Sequence, residues 1–146
     1  MTKILVLHGP NLNLLGKREP EIYGDVTIGD INKRLKALGN ELGLEVFALQ
    51  SNREGELIDA LHEAGKTSMG VIFNPGGYTH TSVAIRDAVS AIDIPVVEVH
   101  ISNILAREDF RHRSLIAPAC AGVVSGFGWR SYTLALRALS EIIKTA

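Results

Sequence analysis

The chain has 146 residues, 46% of them hydrophobic and 21% charged, with a formal net charge of −1. This length suits one domain, 1–146, with core enough to fold without cross-links. The near-zero charge excludes the strong field of a nucleic-acid or membrane-surface binder.

In chain order, the first apolar run, ILVL (4–7), reads as a buried strand. It lies in TKILVLHGP, too short for the apolar region of a signal peptide. Thr27 is placed to cap a helix running to about Gly43, with Ile28, Ile31, Leu35 and Leu38 on one face. LEVFAL (44–49) is a second strand. A helix over Glu54–Lys66 carries Leu57, Ile58, Leu61 and Ala64. GVIFN (70–74) precedes a helix over Thr81–Ala91, with Val83, Ala84, Ala88 and then Ile92 on its apolar face. PVVEVH (95–100) and AGVVSG (121–126) complete five strands, and Ser131–Lys144 forms a last helix with Leu134, Leu136, Leu139, Ile142 and Ile143. Alternating strands and helices with short connections predict an α/β fold, a parallel sheet with helices on both faces. No run approaches a membrane span, so the expectation is a soluble, cytoplasmic protein.

In such a sheet ligands bind beyond the carboxyl ends of the strands. Those ends read His8-Gly-Pro-Asn, Gln50-Ser-Asn, Asn74-Pro-Gly-Gly-Tyr-Thr-His, His100-Ile-Ser-Asn and Gly126-Phe-Gly. Familiar motifs fail there. Six residues separate Gly9 from Gly16, and Arg18 follows Lys17, so this is no P-loop. GFGWRS (126–131) follows the last strand and has Ser131 where a dinucleotide fingerprint needs glycine. GPNLNLLG lacks the hydroxyls of a flavin-phosphate loop. His8, His62, His80, His100 and His112 show no local metal-ligand spacing, so no metal is expected. The single cysteine, Cys120, lies in IAPACAGVV and reads as a small buried apolar residue.

The polar stretch GKREPEIYG (16–24) sets Tyr23 five residues after Arg18. Phenol is a poor base at neutral pH unless a cation favours its phenolate, and Arg18 is always charged. The other reading is a tyrosine that packs the loop onto the body. Glu98 and His100 lie two apart on one strand, so both point to one face, where a carboxylate beside imidazole makes a general acid. Alternatively, His100 is a strand-end residue satisfied by backbone. Asn74 before Pro75-Gly76-Gly77 marks a tight turn, either turn chemistry alone or a ligand contact. Arg107 and Arg111, four apart in REDFRHR, share a face if the segment is helical and then bind a carboxylate or face solvent.

Together, GPNLNLLGKREPEIYG, FNPGGYTHTSVAIRDA, VEVHISNILAREDFRHRS and GVVSGFG, followed by a SYTLALRAL tail, closely resemble type II 3-dehydroquinase. The resemblance implies a flavodoxin-like fold with a five-stranded parallel sheet. It implies cofactor-free, reversible dehydration of 3-dehydroquinate to 3-dehydroshikimate, in the shikimate pathway, by anti elimination through an enolate. Tyr23 is then the base at C2, Arg18 holds its phenolate, and His100 protonates the departing C1 hydroxyl. Asn11 helps hold a water at the enolate. Asn74, His80, Asp87, Ile101, Ser102 and Arg111 bind the substrate, with Asp87 reaching a neighbouring subunit's site. GKREPEIYG becomes a lid, and the assembly a homododecamer, a tetramer of trimers. His8 stands where many members carry Asn and is expected to touch none of these residues. The other dehydroquinase class works through a Schiff base; here Lys3, Lys33, Lys36, Lys66 and Lys144 fall at a strand start or on helix faces, and Lys17 in the lid. The competing reading is a flavodoxin-like module that binds a nucleotide or small molecule without turnover.

Overall fold

The protein is described by a computed structural model covering residues 2–145; the first and last residues of the expected domain 1–146 lie outside the described residues. Five parallel strands, β1 (Thr2–His8), β2 (Leu44–Gln50), β3 (Gly70–Asn74), β4 (Val96–His100) and β5 (Gly122–Ser125), form one sheet in the order β2-β1-β3-β4-β5. This is the flavodoxin-like order, which switches direction between β1 and β3. The helices are the single turn α1 (Pro20–Tyr23), α2 (Ile28–Leu42), α3 (Glu54–Thr67), α4 (Val83–Ala91) and α5 (Arg130–Thr145). No helix among the described residues is long and apolar enough to cross a membrane.

The core divides across the sheet as the strand period requires. Ile4 and Val6 of β1, Ile72 of β3 and Val97 and Val99 of β4 pack with Ile31, Leu35 and Leu38 of α2 and Ala135, Leu136 and Leu139 of α5. Leu5, Leu7, Val71, Phe73 and Val96 take the other face with Leu57 and Leu61 of α3 and Ile85, Ala88 and Val89 of α4.

Local signals explain most of the boundaries. Thr27 Oγ1 accepts from Asp30 N at 3.1 Å while Asp30 Oδ2 accepts from Thr27 N at 3.1 Å, a capping box that starts α2. Ser82, rather than Thr81, caps α4 by accepting from Ile85 N at 2.9 Å. That start turns Ile85 and Val89 inward and leaves Val83 and Ala84 exposed, contrary to the expected stripe. In α5, Leu134 and Ile142 likewise face outward, and Tyr132 and Ala135 fill the buried face.

The loops after β1 and β3 touch at the switch point. Gly9 N donates to Asn74 O at 2.7 Å, and a Cβ on Gly9 would lie 2.6 Å from Pro75 C and O. Backbone on both sides leaves no flexible side chain to yield. Gly9→Ala is therefore expected to destabilise the protein by about 1–3 kcal/mol, read as a lower urea midpoint at unchanged slope. An unchanged midpoint would show that the loops separate without cost.

Candidate active site

A cleft of about 150 Å³ opens at the carboxyl ends of β1, β3 and β4, where the topology switches. It gathers nine of the ten expected site residues: Asn11, Arg18, Tyr23, Asn74, His80, His100, Ile101, Ser102 and Arg111. The tenth, Asp87, is exposed on α4 and outside the cleft lining. No lysine lines the cleft. Among the described residues no group of three or more His, Cys, Asp or Glu is placed to hold a metal ion.

The 16–24 loop is built by its sequence. Gly16 and Gly24 take φ of +90° and +79°. A Cβ on Gly16 would lie 3.0 Å from Asp25 O and Thr27 Cγ2, so the loop's two ends meet at its base. The segment is less irregular than expected: Pro20 at the first helical position turns Pro20–Tyr23 into one helical turn. That turn carries Tyr23 toward the cleft with two guanidinium groups about its ring. Arg18 Cζ lies 5.2 Å and Arg107 Cζ 5.4 Å from the ring centroid. Arg107 Nη1 also donates to Tyr23 Oη at 2.8 Å and reaches Ser102 Oγ at 3.4 Å. The expected contact between Arg18 and the phenol oxygen is thus corrected: Arg18 sits over the ring, and Arg107 binds the oxygen.

The segment carrying Arg107 and Arg111 is not one helix, yet both guanidinium groups line the cleft. Arg107 falls between two short 3₁₀ turns, Ile104–Ala106 and Asp109–Arg111. Arg111 lines the cleft, with Nε 3.2 Å from Glu108 Oε1. The charged string REDFRHR pointed to this neighbourhood without revealing the contact with Tyr23.

On β4, Glu98 and His100 share a face as the strand period predicts. His100 Nε2 donates to Glu98 Oε2 at 2.5 Å. Glu98 is fully buried and also accepts from Thr79 Oγ1 at 3.1 Å and Ser114 Oγ at 2.8 Å. Ser114 Oγ itself accepts from Ile116 N at 3.2 Å and Ala117 N at 2.9 Å, which leaves its hydrogen for the carboxylate. With Nε2 committed, His100 has Nδ1 for the cleft. Thr79 and Ser114 were not singled out from the sequence; an isolated hydroxyl in a loop carries no signal of its partner.

The other residues complete the lining. Asn11 adopts a left-handed φ of 69°, and its N–H donates to Asn52 Oδ1 at 3.0 Å. His80 donates from Nδ1 to Arg113 O at 2.8 Å, leaving Nε2 free. Asn74 Nδ2 donates to Tyr132 Oη at 3.1 Å, and its Oδ1 accepts from Gly76 N at 3.0 Å. Tyr132 Oη is in turn 2.9 Å from His8 Nδ1. His8 is therefore one hydroxyl away from Asn74, closer to the site than expected. Burial pushes the His8 pKa down to about 4. Cys120 is half-buried, and burial raises its thiol pKa to about 12, so it is a poor nucleophile.

These features define a flavodoxin-like α/β protein whose cleft holds a phenol beneath two guanidinium groups and a carboxylate-held imidazole. The family model described as dehydroquinase class II matches residues 2–140. A 3-dehydroquinate dehydratase of Rhizobium johnstonii is 62% identical over 139 residues, covering 95% of this chain and 96% of that protein. One from Pelotomaculum thermopropionicum is 58% identical over 143 residues, covering 98% and 99%. The crystal structure of type II dehydroquinase from Butyrivibrio crossotus superposes with a TM-score of 0.93 at 44% identity, covering 94% of this chain and 97% of that one. The chain belongs to the class II dehydroquinase family.

Proposed function

We propose that this protein is a 3-dehydroquinate dehydratase, a hydro-lyase of the shikimate pathway and so of aromatic amino-acid biosynthesis, formed by one domain over residues 1–146. The carrying observation is that Tyr23, with Arg107 on its oxygen, and His100, with Glu98 on its far nitrogen, line the same cleft.

The C2 hydrogen of 3-dehydroquinate is α to a ketone, so its removal yields an enolate that hydrogen-bond donors stabilise. Tyr23 as phenolate takes that proton, with the Arg107 guanidinium on its oxygen and that of Arg18 over its ring. Asn11, with a water, supports the enolate oxygen. Collapse of the enolate forms the C1–C2 double bond and expels the C1 hydroxyl on the opposite face. His100, as imidazolium, gives its Nδ1 proton to that hydroxyl, and Glu98 on Nε2 stabilises the charge. Atoms balance: the C1 hydroxyl leaves as water on the proton from His100, and Tyr23 then releases the C2 proton to solvent while His100 takes one up, so one water is lost overall. Asn74, His80, Ile101, Ser102 and Arg111 hold the substrate's hydroxyls and carboxylate. Opening and closing of the 16–24 loop admits substrate and then excludes water.

The working form we propose is a cytoplasmic homododecamer, a tetramer of trimers, with neither membrane nor nucleic acid as partner. Support comes from large apolar side chains left in solvent: Leu105 at 67% exposure, Phe110 at 64%, Phe127 at 59% and Val83 at 59%. Asp87 lies one helical turn from Val83 on α4, on the same exposed side, suited to reach a neighbouring subunit's cleft. Asp87→Ala is expected to loosen the assembly or raise KM roughly tenfold. Sedimentation velocity and steady-state kinetics both unchanged would remove Asp87 from any role between subunits.

The reaction itself is tested by adding 3-dehydroquinate and following the ultraviolet absorbance of the conjugated product. A rise supports the dehydratase. No rise, with a melting shift on adding flavin mononucleotide or another nucleotide, would mark a binding module instead.

A further inference from the structure

We infer that buried His8 and Tyr132, with half-buried Asn32, form a positioning relay that fixes Asn74 with an amide N–H toward the cleft, and that His8 is held as the neutral Nε2–H tautomer. The relay deepens the dehydratase reading and rests on Asn74 being a substrate contact.

His8 and Asn74 are register partners at the ends of β1 and β3. His8 and Tyr132 are fully buried, and Asn74 is 3% exposed. The direction of every hydrogen bond follows from one fixed donor. Gly76 N–H is 3.0 Å from Asn74 Oδ1, and a backbone N–H only donates, so the amide oxygen must face Gly76. Asn74 Nδ2 then faces Tyr132 Oη at 3.1 Å and donates to it. The single hydroxyl hydrogen of Tyr132 goes to His8 Nδ1 at 2.9 Å, which must be a lone pair. The remaining imidazole hydrogen sits on Nε2 and donates to Asn32 Oδ1 at 2.8 Å.

All hydrogens thus run one way, from Gly76 to Asn32. The second hydrogen of Asn74 Nδ2 is left for the cleft. A proton on His8 Nδ1 would meet the Tyr132 oxygen already accepting from Asn74, and the hydroxyl hydrogen would lose its acceptor in a sealed site. The burial that holds down the His8 pKa acts in the same sense. Asn74 therefore presents a donor suited to a hydroxyl oxygen or carboxylate of the ligand. His8, Asn32 and Tyr132 act through it without touching substrate.

Two measurements test this. In wild-type protein labelled with ¹⁵N-histidine, His8 is expected as the Nε2–H tautomer, with no titration from about pH 5.5 to 8, across the ordinary histidine range. An Nδ1–H tautomer, or a midpoint near the ordinary value of about 6.5, would reverse the donor order and overturn the inference. In Tyr132→Phe, KM is expected to rise about tenfold with kcat within about twofold, and this rise should vanish when Asn74 is already Ala. Equal effects in both backgrounds would reduce Tyr132 to a packing residue. The tautomer needs neither the variant to fold nor the enzyme to turn over. A wild type without turnover would sink the dehydratase reading and with it the role given to Asn74, while the tautomer measurement still stands; an active wild type with the wrong tautomer would sink the relay alone.

Discussion

Tyr23→Phe is expected to lower kcat for dehydration about a thousandfold, within the usual range for losing a positioned general base. The substitution removes one oxygen and keeps the ring. The guanidinium groups of Arg18 and Arg107, 5.2 and 5.4 Å from the ring centroid, still have a π face to rest on. Pro20 still starts the helical turn that delivers residue 23, so the loop keeps its local structure. Tyr23 is only partly buried, and stability should shift by no more than about 0.5 kcal/mol. Steady-state kinetics beside thermal melting checks both halves. Turnover within a few fold of wild type in a folded variant would remove Tyr23 from the chemistry and return it to loop packing.

The second large effect is at the acid. His100→Ala is expected to lower turnover by about 10²–10⁴-fold while hydrogen exchange at substrate C2 continues in deuterated water. The reason is order: the enolate forms at Tyr23 before the C1 hydroxyl leaves, so a variant without the acid can still lose and regain the C2 proton. Glu98 loses its nitrogen donor but keeps Thr79 and Ser114, so a stability cost of about 1–3 kcal/mol is expected rather than unfolding. Proton NMR of the substrate in the presence of the variant measures exchange directly. Loss of both exchange and turnover in folded protein would place His100 at the first step, against an enolate that forms without it.

Legibility in the sequence followed the range of the interaction. The α2 boundaries were readable because Thr27 and Asp30 are neighbours in the chain. The pairing of Glu98 with His100 was readable because alternation along one strand places both on one face. The strands were readable because each is a short apolar run; β1, β3 and β4 are covered on both faces, while the edge strands β2 and β5 leave Leu49 and Val123 exposed. The outward turn of Val83 and Leu134 was not readable, since apolar residues on a surface face look like core in a linear string. The Arg107 contact with Tyr23 spans 84 residues, and the contact between His8 and Tyr132 spans 124. No local period encodes either. Nothing beside Tyr132 in the chain marks it as a polar partner, and only the packing of α5 against the sheet brings its hydroxyl between His8 and Asn74. The family strings supplied most candidate site residues that local patterns could not, and Arg107 shows what an inherited role leaves out.

The most direct test of the dehydratase chemistry is the ultraviolet absorbance of chelator-treated protein mixed with 3-dehydroquinate, run beside Tyr23→Phe. A metal-free elimination with Tyr23 as base predicts a rise from the conjugated product that survives the chelator and is lost in the variant. Folded wild-type protein that leaves the absorbance flat, or a variant that matches it, would contradict that chemistry.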